Sequence, residues 1–137
     1  MYMLWHEKYE TGNEQVDTEH KEIFMLVQKV IDAAFDDVSD KIGTTLDFLA
    51  SYAVNHFANE EKIMDESSYP QAAIHKKQHS DFVQDFLALK ERVSKETDNT
   101  KNSLEINKVI VDWLTEHVLG SDKIMANYYK TWVKSNA

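Results

Sequence analysis

The chain has no cysteine among its 137 residues. That absence excludes disulfides, iron–sulfur clusters, thiolate zinc sites and cysteine nucleophiles together. It has one proline and three glycines, too few for a turn-rich sheet and too scattered for a phosphate-cradling loop or a dinucleotide fingerprint. Basic residues are also scarce: 15 Lys and Arg against 24 Asp and Glu leave a formal charge of −9. Neither nucleic acid nor an anionic membrane is the expected partner of so acidic a chain. No apolar run approaches the roughly 20 residues that span a bilayer. The start, MYMLWHEKYE, lacks the basic head and apolar block of a secretory signal. These absences predict a soluble, cytoplasmic protein. The length, with 42% apolar residues, suits one domain around one core.

What the sequence does contain is helical periodicity. Residues 1–16 have no helical period but carry Trp5, Tyr9 and Gly12, and read as an arm that packs its aromatics on the domain. Asp17 and Thr18 are the expected N-caps of a first helix. Its positions Ile23, Phe24, Val27, Val30, Ile31, Ala34 and Phe35 follow the three-and-four spacing of one buried stripe. A loop is expected at residues 36–40, with Ser39 as a cap. The second helix, ending near Asp65, has the inward series Ile42, Leu46, Leu49, Ala53, His56, Glu60 and Ile63. Pro70 suits the first turn of a third helix, whose series is Ala72, His75, His79, Phe82, Phe86, Leu89 and Val93.

Residues 97–102 read as a polar loop and Ser103 as the cap of a fourth helix through Ile106, Ile110, Trp113 and His117. There the register slips. Asp122 stands five residues beyond His117, about 140° around a regular helix instead of about 40°. Met125, Tyr129 and Trp132 continue Asp122's frame. A widened turn near Gly120 would reconcile the two frames, and such turns are frequent at functional sites. Four long amphipathic helices with short connections predict an all-α, up-down-up-down four-helix bundle over residues 17–133, with the arm before it.

The inward stripes carry His20, His56, Glu60, His75, His79, His117 and, with the slip, Asp122. One core histidine is ordinarily a hydrogen-bonded structural residue. Seven ionisable groups in one core each cost several kcal/mol unless something charged compensates them, and a metal centre does so. Five imidazoles and two carboxylates exceed the needs of one tetrahedral zinc. The HExxH pattern of zinc proteases is absent, and imidazole dominance disfavours calcium and magnesium. The Glu-x-x-His pairs of ferritin-like bundles are also missing. Two metals bridged by two carboxylates fit the count, with His75 and His79, one turn apart, sharing a metal.

Asp17-x-x-His20-Lys21, His56-Phe57-x-x-Glu60-Glu61, His75-x-x-x-His79 and His117-x-x-x-x-Asp122 resemble the ligand pattern of hemerythrins, in particular the single-domain bacterial kind. The arm from Trp5 to Gly12 is similar to the segment before the family's first ligand. The resemblance implies a non-haem di-iron centre (Fe2+/Fe3+) that binds O2 reversibly, for storage, transport or sensing. His75, His79 and His117 would hold one iron, and His20 and His56 the other. Glu60 and Asp122 would bridge them, together with a solvent-derived oxo or hydroxo group. Six ligands then surround the first iron and five the second, leaving one open position for O2. Phe57, Trp113 and Leu114 match apolar positions that line the family's oxygen pocket, and a dry pocket suits a carrier.

The same resemblance leaves two alternatives. One is a di-iron enzyme that reduces peroxide or nitric oxide or oxidises iron, which the shortage of carboxylates disfavours. The other is a module that signals oxygen or redox state to a partner protein. A carrier that is not an enzyme is the leading expectation. His6, Glu61, Lys76 and Lys77 are expected at the surface, and a monomer is expected because no contiguous apolar stripe is left over.

Overall fold

Four long helices account for most of the chain in a computed structural model that describes residues 3–35 and 39–137. They are α1 (Glu14–Phe35), α2 (Ser39–Glu66), α3 (Ala72–Lys95) and α4 (residues 99–135). Each packs on its sequence neighbour, and α4 returns against α1 to close the ring. This is the all-α bundle that the periodicity predicts. Among the described residues there is no strand, and no helix is long and apolar enough to cross a membrane.

The arm is anchored by its aromatics. Trp5, Tyr9 and Phe24 of α1 form a cluster with ring centroids 4.8–5.7 Å apart, and the Lys21 ammonium lies 5.5 Å from the Trp5 ring. The chain then turns at Gly12, whose φ of 88° suits glycine. Here the structure corrects the expected helix start. Asp17 does not cap α1; its carboxylate accepts from the Thr11 amide and hydroxyl, both at 2.8 Å, and from the Gly12 amide at 3.3 Å. Asn13 takes the capping position, accepting from the Val16 amide at 3.0 Å, so helix begins at Glu14 and Thr18 lies inside it.

Other boundaries move for similar reasons. The loop expected at 36–40 falls mostly outside the described residues, and Ser39, expected as a cap, opens α2. Ser68, in the left-handed region at φ 53°, ends α2, and Pro70 sits in the turn before α3. The polar stretch 97–102 is largely helical. Asp98 accepts from the Thr100 amide at 2.9 Å and starts α4 at Asn99, which leaves Ser103 inside the helix.

The apolar interior is divided in two. The larger cluster includes Val27, Leu46, Leu49, Phe82, Phe86 and Ile110; the smaller holds Val16, Ile63, Met64, Tyr69 and Met125. On every helix the inward polar residues fall between these two clusters. His20 follows Val16 and precedes Ile23, and Asp122 precedes Met125. The seven groups are therefore held in a layer between two packed apolar blocks.

Candidate metal centre

Helical spacing delivers the side chains. His56 and Glu60 stand one turn apart on α2, as do His75 and His79 on α3. On α4 a π turn at Val118–Asp122 carries His117 and Asp122 onto one face, as the register slip predicts. A second π turn at Asn107–Val111 lies ahead of Trp113 and Leu114, where the spacing of Ile106, Ile110 and Trp113 announces no break. A Cβ added at Gly120 would meet no atom within 4 Å, so the glycine is not required sterically.

All seven candidate residues converge and all are buried. They form two groups that could each hold a cation: His75, His79 and His117 with Glu60 and Asp122, and His20 and His56 with the same two acids. Within each group the ligand atoms lie within 4.8 Å of one another. Glu60 and Asp122 divide their oxygens between the groups. Glu60 Oε2 is 2.7 Å from His56 Nε2 and 3.3 Å from His20 Nε2, while its Oε1 is 3.1 Å from His79 and 3.3 Å from His75. Asp122 Oδ2 is 3.0 Å from His20 Nε2, and its Oδ1 lies 3.0 Å from His117 and 3.1 Å from His75.

His75 Nε2 and Glu60 Oε1 are hydrogen-bonded at 3.3 Å, but several of the other contacts are close without being aligned for hydrogen bonding. His20 Nε2, Glu60 Oε2 and Asp122 Oδ1 are buried without a hydrogen-bond partner, and His79 Nε2 and His117 Nε2 face each other at 3.2 Å. Buried ligand atoms crowded together with several left unpartnered are the arrangement that a metal satisfies. The donor set, imidazole with carboxylate, fits iron.

Without a metal, protons do the compensating. Burial opposes charge on His56, but the Glu60 charge and the bond to Glu19 outweigh it and raise its pKa to about 10. Burial also opposes charge on His75, and Asp122 and Glu60 raise it to about 9. His20 is raised as well: burial works against its charge, and Asp122 and Glu60 prevail. Burial favours neutral Glu60 and Asp122, yet the surrounding histidines hold both below the ordinary carboxylate range.

A small, partly enclosed cavity of about 20 Å³ adjoins the layer, lined by His20, His56, His117 and Asp122 and otherwise by apolar side chains. That is room for about one small molecule. Phe57, Trp113 and Leu114 all line it; Phe57 and Leu114 are buried and Trp113 partly so. Phe57 stacks on His79 at 3.9 Å and Trp113 on His117 at 4.3 Å. Phe82 completes the aromatic wall, stacked on Trp113 at 4.2 Å. Its place on the His75–His79 stripe could have revealed it.

Two further residues touch the histidines from outside. Glu19 Oε1 accepts from His56 Nδ1 at 2.7 Å, a contact with no periodic signal because Glu19 lies beside the inward stripe. Glu61, expected to face solvent, turns back so that Oε2 lies 3.1 Å from His79 Nδ1. Lys76 and Lys77 pair with Asp65 and Asp81 at the surface, and His6 is exposed.

The profile of the Hemerythrin HHE cation binding domain matches residues 11–129. The chain belongs to the hemerythrin family. It is 33% identical over 118 residues to the myohemerythrin of Theromyzon tessulatum, covering 86% of each chain. It is 26% identical over 128 residues to the bacteriohemerythrin of Stenotrophomonas maltophilia, covering 93% of this chain and 82% of that one. A hemerythrin-like protein of Naegleria gruberi is 30% identical over 118 residues.

Proposed function

We propose that this chain binds O2 reversibly at a non-haem di-iron centre. His75, His79 and His117 would hold one iron and His20 and His56 the other, with Glu60 and Asp122 each offering one oxygen to either side and a solvent-derived oxo or hydroxo group completing the centre. The observation that carries this reading is the division of each carboxylate, one oxygen toward the histidine trio and one toward the pair. A pair of ferrous ions supplies the two electrons that O2 draws on.

The residues around the centre set the conditions. The cavity touches both histidines of the pair but only His117 of the trio, which supports an open position on the two-histidine side. Phe57, Phe82, Trp113 and Leu114 exclude water there, and among the described residues the ionisable groups that line it are His20, His56, His117 and Asp122, all assigned to the metals. The rest of the wall is apolar, which favours release of O2 over its reduction.

The test is the visible spectrum of the anaerobically reduced, iron-loaded protein before O2, with O2, and after its removal. A charge-transfer band that develops with O2 and vanishes on removal is the expected result. Direct conversion to a stable oxidised spectrum would overturn reversible binding, and the absence of any iron-dependent spectrum would overturn the centre itself.

A further inference from the structure

Five histidines turn Nε2 inward, and two of them have a carboxylate behind the ring, one in each group. His56 Nδ1 lies 2.7 Å from Glu19 Oε1, and His79 Nδ1 lies 3.1 Å from Glu61 Oε2. By contrast, His20 Nδ1 is buried with no partner. The two carboxylates are held differently. Glu19 Oε2 also accepts from Asn59 Nδ2 at 2.8 Å and from Gln15 Nε2 at 3.4 Å, so α1 and α2 fix it from both sides. Its side chain is 16% exposed, against 32% for Glu61, whose bond to His79 is the one it makes among the described residues.

We propose that Glu19 is a positioning residue for His56, locking the ring so that its Nε2 lone pair faces the metal and strengthening that imidazole as a donor. The inference rests on the di-iron reading above. With a metal on Nε2 the ring is neutral and keeps a single N–H, at Nδ1, directed at Glu19. A carboxylate behind a ligand imidazole fixes the tautomer and raises ligand basicity, and a charged acceptor makes the bond short and strong. The Asn59 and Gln15 contacts keep the Glu19 carboxylate from rotating away. Glu61 has no such clamp and exchanges its contact for water at less cost. The two-histidine position, with fewer protein ligands, therefore depends on an outer carboxylate more than the three-histidine position does.

The test uses the full chain, free of metal, titrated anaerobically with Fe2+, and a diamagnetic Zn2+-loaded sample for the ring N–H protons by NMR. Wild type is expected to bind two Fe2+. Glu19→Gln keeps the shape and removes the charge; it should weaken one of the two binding steps by about 10–100-fold and move the His56 ring proton upfield. Glu61→Gln should have the smaller effect, on the other step. The inference is overturned if wild type binds two Fe2+ and Glu19→Gln matches it in both the isotherm and the ring proton. It is equally overturned if Glu19→Ala lowers the melting temperature while leaving both signals unchanged, since that describes a merely structural residue. A wild type that does not take up two Fe2+ sinks the di-iron reading instead.

Discussion

Glu60 on α2 and Asp122 on α4 meet across the bundle and share out the five histidines oxygen by oxygen. Glu60 reaches His56 at 2.7 Å with one oxygen and His79 at 3.1 Å with the other; Asp122 reaches His20 and His117, each at 3.0 Å, in the same way. Bridging requires both oxygens to carry charge. Asp122→Asn keeps the volume and replaces one oxygen with an amide nitrogen that has no lone pair to offer. Iron content after anaerobic reconstitution should fall below two per chain. Retention of two would remove Asp122 from the bridge.

His56→Ala takes a ligand from the position that has only two imidazoles. That position should no longer fill stably, and total iron measured against protein should settle near one per chain. A value of two would contradict the assignment of His56, which stands on its 2.7 Å approach to Glu60.

Leu114 is 6% exposed and lines the cavity beside His20 and His56. Leu114→Ala removes a side-chain wall and leaves a void that costs about 2–5 kcal/mol of stability. Water gains access to the two-histidine side, so autoxidation of the oxygenated protein should quicken. The check is the decay of the O2-dependent absorption band in air. An unchanged rate would show that Leu114 is not part of the barrier.

The metal-free protein should have an alkaline weakness. His56 and His75 hold pKa values of about 10 and about 9 when folded, against about 6.5 unfolded. Their stabilisation is complete below about pH 6.5 and is lost as pH rises through the folded values. Glu60 and Asp122 are lowered on folding, so their contribution is complete above the ordinary carboxylate range and is lost as pH falls. Thermal melts of the metal-free chain should therefore peak in the mildly acidic range and decline toward alkaline pH. Metal ligation needs neutral imidazoles, so the gain in melting temperature on adding Zn2+ should grow as pH rises from acid toward neutrality. A gain that shrinks over that range would contradict the inward histidines as ligands.

Gly120 lies inside the π turn that aims Asp122, yet a methyl group there meets nothing within 4 Å and the residue keeps an ordinary helical φ. Gly120→Ala should leave iron content unchanged and stabilise the chain by about 0.5–1 kcal/mol, because alanine loses less backbone freedom on folding. Loss of iron would mean that the widened turn needs the glycine.

Much of the centre can be read from spacing. A three-and-four period fixes which face of a helix turns inward, so His56 with Glu60 and His75 with His79 declare themselves as polar residues on apolar stripes. The five-residue step from His117 to Asp122 likewise announces a break in regular winding, found as the π turn at Val118–Asp122. Helix starts are less legible. Asp17 is a good capping residue by type, but Thr11 and Gly12 engage its carboxylate and Asn13 caps in its place. Local preference pointed to Asp17, whereas the cap lies four residues earlier at Asn13, a choice that depends on where the arm folds back.

The sequence by itself determined four amphipathic helices, the seven inward polar groups and the change of register on α4, because each follows from angular position on a single helix. Tertiary structure alone decided how those groups meet. It set which carboxylate oxygen faces which histidines, brought Glu19 to His56 across 37 positions of sequence, and turned Glu61 back onto His79. It also stacked Phe82 on Trp113. These are relations between helices. They depend on crossing angle and axial offset, which the packing of two complete apolar faces fixes and no one helix encodes.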